Sequence, residues 1–156
     1  MATEIERKFL LKDDSWKADA GEGIQYTQGY LVGSKHASVR VRIQGKHAFI
    51  NIKSATIDIT RQEYEYEIPL ADAKELLETL CEKPLIDKKR YKLKIAQHVW
   101  EIDVFAGDND GLVVAEIELG DKNEAFEKPG WLAAEVSDDA RYYNVNLVKH
   151  PFKDWS

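Results

Sequence analysis

Thr3-Glu4-Ile5-Glu6-Arg7-Lys8-Phe9-Leu10-Leu11 opens the chain with charged and apolar residues in alternation. A period of two sends successive side chains to opposite faces of an extended strand. Glu4, Glu6 and Lys8 therefore share one face, and Ile5, Arg7 and Phe9 the other. The same alternation returns in Ser38 to Ile43, Ala48 to Lys53, Arg61 to Ile68, Lys88 to Ile95, Val99 to Phe105 and Val113 to Leu119. Turn-forming residues separate several of these runs, among them Gly33-Ser34, Gln44-Gly45-Lys46 and Gly107-Asp108-Asn109-Asp110-Gly111. Antiparallel hairpins are the expected pairing.

Helical periodicity is scarcer. Asp72 to Cys81 brings Ala73, Leu76, Leu77 and Leu80 to one face, with Asp72 near its start and Pro84 beyond its end. A short helix is expected over Asp121 to Glu127, stopped by Pro129-Gly130, and a third over Asp138 to Lys149 with Ser137 as its cap. Seven or eight strands and three helices make an α+β protein dominated by one sheet.

Parity also sorts the charges. One face carries Glu4, Glu6, Glu63, Glu65, Glu67, Glu101, Asp103, Glu116 and Glu118 together with Lys8, Arg40, Arg42, Lys53, Arg61, Lys88 and Arg90. The opposite face is apolar except at Arg7, Gln62 and Lys89. An open sheet with its charges in water satisfies the alternation. Against it stand same-sign pairs two residues apart, which repel unless an opposite charge lies between them. A divalent cation would serve Glu4/Glu6 and Glu116/Glu118, and a phosphate chain would serve Arg40/Arg42 and Lys88/Arg90. Closing the sheet into an antiparallel barrel of eight strands turns the charges into a polar lumen and leaves the apolar faces to be covered by helices outside.

Composition sets the outer bounds. The 156 residues suit a single domain spanning 1–156, with 44% hydrophobic and 32% charged residues. No apolar run approaches the roughly 20 residues of a membrane span, and the charged start is unlike a secretory signal, so a cytoplasmic location without membrane contact is expected. Cys81 is the only cysteine, and a net charge of −6 disfavours nucleic acid as partner. His36, His47, His98 and His150 show no metal-ligand spacing and read as surface or packing residues. Of the four tryptophans, only Trp100 is left open as a substrate-facing residue.

The Glu4-x-Glu6-x-Lys8 start resembles the hallmark of the CYTH superfamily, the triphosphate tunnel metalloenzymes. The likeness continues through Arg40-x-Arg42, Lys53, Arg61-Gln-Glu63-Tyr-Glu65, Lys88-Lys-Arg90, Glu101-Ile-Asp103, Glu116-Ile-Glu118 and Arg141-Tyr142-Tyr143-Asn144. The chain is most similar to the short bacterial members that hydrolyse inorganic triphosphate, in which a C-terminal helix can lie against one end of the tunnel. What the resemblance implies is hydrolysis of tripolyphosphate to pyrophosphate and phosphate with magnesium or manganese, two ions, as cofactor. Lys8, Arg40, Arg42, Lys53, Arg61, Lys88 and Arg90 would bind the phosphates, because no P-loop is present and side chains must grip them. Glu4, Glu6, Glu116 and Glu118 would be the principal metal ligands, with Glu63, Glu65, Glu101 and Asp103 as partners, since an all-carboxylate set suits a hard cation. The catalytic set is then Glu4, Glu6, Lys8, Arg61, Glu116 and Glu118. Other outcomes within the family are a class IV adenylyl cyclase, a thiamine triphosphatase or a nucleoside triphosphatase. Outside enzymology, a non-catalytic polyphosphate-binding module is the alternative. A homodimer is left open.

Overall fold

In the computed structural model, residues 3–56 and 58–155 are described. Among these residues nine strands form: β1 (Thr3–Leu11), β2 (Ile24–Gly33), β3 (Ala37–Gln44), β4 (His47–Ser54), β5 (Thr60–Ile68), β6 (Ile86–Ile95), β7 (His98–Phe105), β8 (Val113–Glu118) and β9 (Leu132–Glu135). Two α-helices accompany them, α1 (Leu70–Thr79) and α2 (Asn144–Lys149), with short 3-10 turns between. The hydrogen-bonded order is β5-β4-β3-β2-β6-β7-β8-β1, and β1 closes the ring by pairing with β5. The expected closed eight-stranded antiparallel barrel is what the chain forms.

β1 is shared by three neighbours. Thr3 to Ile5 lie opposite Thr60 to Gln62, Glu6 to Leu10 opposite Val114 to Glu118, and Phe9 and Leu11 meet β9 across a bulge. The ninth strand thus continues the wall where β5 leaves β1.

The apolar exterior is covered in two ways. α1 lies on β3 and β4, with Ala73, Leu77 and Cys81 packed on Val41 and Ala48. Gly29 of β2 permits this approach: a Cβ there would stand 2.7 Å from Leu85 Cδ2 and 2.9 Å from Cys81 Cβ. The other flank, Phe9, Leu93, Trp100, Ile102 and Ile117, is covered by irregular chain that brings Trp16, Phe126 and Trp131 onto it. Trp100 is fully buried in this outer cluster, edge-on to Phe9, Phe126 and Trp131, and does not face the lumen.

Two helix expectations are corrected here. Residues 121–127 form no helix, because side chains of the segment bond to nearby backbone instead. Asp121 Oδ1 accepts from Asn123 N at 2.8 Å, and Glu124 Oε1 from Gly120 N at 2.7 Å. Helical chain after Ser137 is split into a 3-10 turn, Ala140–Tyr142, and α2. Ser137 caps neither: its hydroxyl accepts from Lys8 N at 2.9 Å, while Asp139 accepts from Arg141 N at the 3-10 turn. Asp108 to Gly111 is part of the β7–β8 connection, as expected of a turn, and Asn109 Oδ1 accepts from Phe152 N at 2.8 Å.

α2 sits at one end of the barrel. Leu147, Val148, Val136 and Tyr142 meet Tyr30, Ile86, Phe105 and Val114 from the strands, an apolar cluster that floors the lumen. Among the described residues no helix is long and apolar enough to cross a membrane.

Candidate active site

Above the apolar floor the lumen holds a cavity of about 290 Å³. Every candidate residue named from the sequence lines it except Asp103. The alternation explains why: each strand contributes its charged parity inward, and closure aims all of them at one axis.

Basic residues fall into two groups. Lys53, Lys88, Arg90 and Arg42 are held by carboxylates. Lys53 Nζ lies 3.0 Å from Glu4 Oε1 and 3.4 Å from Glu63 Oε2, and Arg42 Nη2 lies 3.2 Å from Glu65 Oε2. Lys8, Arg40 and Arg61, in contrast, form no ion pair among the described residues. Lys8 Nζ donates to the Tyr142 carbonyl at 3.1 Å, and the Tyr143 ring carries Lys8 at 5.3 Å and Arg61 at 5.0 Å. Arg40 is buried and its Nε has no hydrogen-bond partner. A buried, unneutralised guanidinium is costly unless an anion completes it.

Asp103 departs from the metal-partner role expected of it. It is fully enclosed, and both oxygens are engaged: Arg90 Nε donates to Oδ1 at 2.7 Å, Arg90 Nη2 to Oδ2 at 2.9 Å, and Lys88 Nζ lies 2.8 Å from Oδ2. Its carboxyl is held well below the ordinary range because Arg90 and then Lys88 outweigh the effect of burial. Burial pushes Lys88 down to about 8 despite Asp103. Asp103 is the counter-ion that orients two cavity-lining cations, Lys88 and Arg90, from behind.

The remaining carboxylates meet in pairs rather than in threes. Among the described residues no group of three or more His, Cys, Asp or Glu side chains converges on one point. Glu116 is pushed up to about 7, first by burial and then by the neighbouring carboxylate of Glu6. Glu4 is raised by burial, partly offset by Lys53, whereas its partner Glu63 falls to about 2 because Lys53 and Asn51 outweigh burial. A carboxylate pair that retains a proton near neutrality is a place where a cation replaces the proton, and an all-oxygen donor set suits a hard divalent ion. The residues fit such an ion.

Some lining residues had no sequence signal or only a partial one. Tyr26 is inward on β2 and lies under Arg42 at 5.1 Å and Arg90 at 4.8 Å. Tyr143 and Asn144 belong to the matched Arg141-to-Asn144 stretch but received no role. Nothing in the strand alternation reaches them, because they enter the cavity from outside the sheet. His47 pairs with exposed Glu67, and His98 with Glu124, both away from the cavity lining. Cys81 is the packing residue its position suggested.

A closed barrel whose lumen sets paired carboxylates against unneutralised cations defines a class of protein built to hold a small polyanion. The model of the CYTH domain matches residues 2–149, and the chain belongs to that family. It is 49% identical over 155 residues to the inorganic triphosphatase of Acetivibrio thermocellus, covering 99% of each chain. It is 36% identical over 150 residues to that of Nitrosomonas europaea, covering 94% of this chain and 97% of the relative. The crystal structure of an inorganic triphosphatase superposes with a TM-score of 0.64 at 35% identity, covering 95% of each chain.

Proposed function

We propose that this protein hydrolyses inorganic triphosphate to pyrophosphate and phosphate inside the barrel. The observation that carries the reading is the set Lys8, Arg40 and Arg61, cations without a carboxylate partner around a carboxylate-lined cavity. The names of the two relatives point the same way. Arg40 and Arg42 on one wall and Lys88 and Arg90 on another would grip successive phosphates, with Lys8 and Arg61 neutralising charge that builds on the transferring and leaving groups. Glu4, Glu6, Glu116 and Glu118, with Glu63, Glu65 and Glu101 around them, would hold magnesium or manganese, two ions in our reading. Such an ion polarises phosphoryl oxygens and supplies hydroxide at neutral pH. Asp103 stays outside this set and keeps Lys88 and Arg90 in place.

Tripolyphosphate is favoured over a nucleotide because the inward aromatic face is taken. Arg42 and Arg90 cover Tyr26, Lys8 and Arg61 cover Tyr143, and Tyr30, the third lining aromatic, is packed into the apolar floor, so none of the three rings is free to stack a base. Phosphate release should be measured on tripolyphosphate, ATP, thiamine triphosphate and pyrophosphate with magnesium or manganese. Tripolyphosphate should have the highest kcat/KM and pyrophosphate a poor one, and excess EDTA should abolish turnover. ATP or thiamine triphosphate better by about tenfold, some 1.4 kcal/mol, would transfer the assignment to a nucleotide or thiamine enzyme. Binding without turnover would make it a polyphosphate-binding module.

A further inference from the structure

Asn144 stands at the deep end of the cavity, and nothing in the hydrolytic scheme above uses it. Its Oδ1 accepts from Lys88 Nζ at 3.2 Å and from Gln28 Nε2 at 3.0 Å. An ammonium has only donors, so the oxygen is the amide atom that must face Lys88. Two accepted bonds occupy the lone pairs of that oxygen. The other branch of the amide is an NH2 with two donors, and the described residues give it no hydrogen-bond partner, while Asn144 lines the cavity.

Lys88 is constrained by the same contact. One of its three N–H groups faces Asp103 and one Asn144, which leaves a single donor. Beneath this layer the lumen ends on Ile86, Phe105 and Leu147, so a phosphate chain cannot run past it. Lys8 reaches the same level, bonded to the Tyr142 carbonyl two residues before Asn144.

We propose that Asn144 reads the innermost phosphate of the bound chain, donating from Nδ2 to its oxygens while Oδ1 holds the Lys88 ammonium so that its free N–H meets the same group. The ligand's identity rests on the triphosphatase reading, whereas the role of Asn144 concerns binding. The two are separable by experiment.

Tripolyphosphate is titrated calorimetrically into the full chain in chelated buffer, for the wild type, Asn144→Asp and Asn144→Ala, with thermal melts of each. Asn144→Asp keeps shape and acceptor but loses both donors and sets a negative charge toward the phosphate. Its Kd should rise about tenfold or more, and that of Asn144→Ala several-fold, with melting temperatures near wild type. Because Asp is well tolerated in the first turn of a helix, loss of folding is not the expected route to weaker binding. If Asn144→Asp does not fold, Asn144→Ala alone decides. Tripolyphosphate binding within twofold of wild type by the folded variants overturns the proposal even if the wild type hydrolyses it. A wild type that binds without hydrolysing once magnesium is added, while Asn144→Asp binds weakly, sinks the triphosphatase reading and leaves Asn144 in its role. A wild type that binds tripolyphosphate neither in chelated buffer nor with magnesium overturns both, and one that binds only with magnesium has the variants compared in magnesium by the same twofold criterion.

Discussion

Asp103 and Glu101 carry the same charge on the same face of one strand, yet they differ in what surrounds them. Asp103, one step nearer the closed end, is enclosed and holds Lys88 and Arg90, whereas Glu101 lines the cavity. Asp103→Asn should therefore leave two buried cations undercompensated and lower unfolding stability by about 3 kcal/mol or more, with tripolyphosphate binding weakened as well. Urea unfolding monitored by tryptophan fluorescence checks the first part, and a variant as stable as wild type would contradict it. Glu6→Gln belongs to the opposite class. It removes one of two crowded carboxylates, so it should reduce turnover by orders of magnitude and raise the melting temperature of the chelated protein, because Glu116 no longer faces a like charge. A Glu6→Gln protein that fails to fold would make the acid structural. Alternation told which face each charge occupies. Depth along the lumen was invisible to it, since a period of two is blind to how far each strand is staggered against its neighbours.

β2 shows what hid an element from the sequence. Its inward residues are Tyr26, Gln28 and Tyr30, its outward ones include Thr27 and Gly29, and neither set is charged or uniformly apolar. The strand is nonetheless central, paired with β3 from Tyr26 to Gly33 and with β6 from Ile24 to Gln28. β9 escaped notice for its length, four residues. α1 was legible within two residues because its apolar stripe is regular, while the helix expected over 121–127 yielded to side-chain-to-backbone bonds of Asp121 and Glu124. β2 and α1 together make a prediction. Gly29→Val would drive a side chain into Leu85 and Cys81, push α1 outward, and reduce stability by about 1–3 kcal/mol. Because the added side chain points to the outer face and not into the lumen, it should leave KM for tripolyphosphate near wild type at low temperature. A variant as stable as wild type in thermal melts would show that α1 has room to yield.

At the scale of the molecule, concentrated acid makes stability depend on pH. Glu116 has a folded value of about 7 against an ordinary 4.5, so between these limits the folded state binds more protons than the unfolded chain. Stability of the chelated protein should accordingly be greatest below pH 4.5 as far as Glu116 is concerned, and should fall by up to about 3 kcal/mol as pH rises through 7. Glu4 and Glu118, also raised by burial, act in the same direction. Lys88 acts oppositely but only above about 8. Melting temperatures from pH 5 to 8 in EDTA should decline, and the slope should flatten in Glu116→Gln and on adding magnesium. A flat wild-type profile would mean that Glu116 is better solvated than the structure shows.

β1 finds its wall partners and Ser137 at the far end of the chain; the Lys8 amide bonds to a hydroxyl 129 positions later. On a ribosome this strand is made before its partners and must wait, its edges bare, until β5, β8 and finally β9 emerge. A bare strand is a template for stray pairing, and charges placed along it are what keep such an edge from joining a neighbour. Glu4, Glu6 and Lys8 are charges of that kind, carried by the strand before the cavity around them exists. Substituting all three by neutral residues should therefore lower soluble yield by more than the stability of the folded barrel alone would suggest, which expression and fractionation of the variant would check.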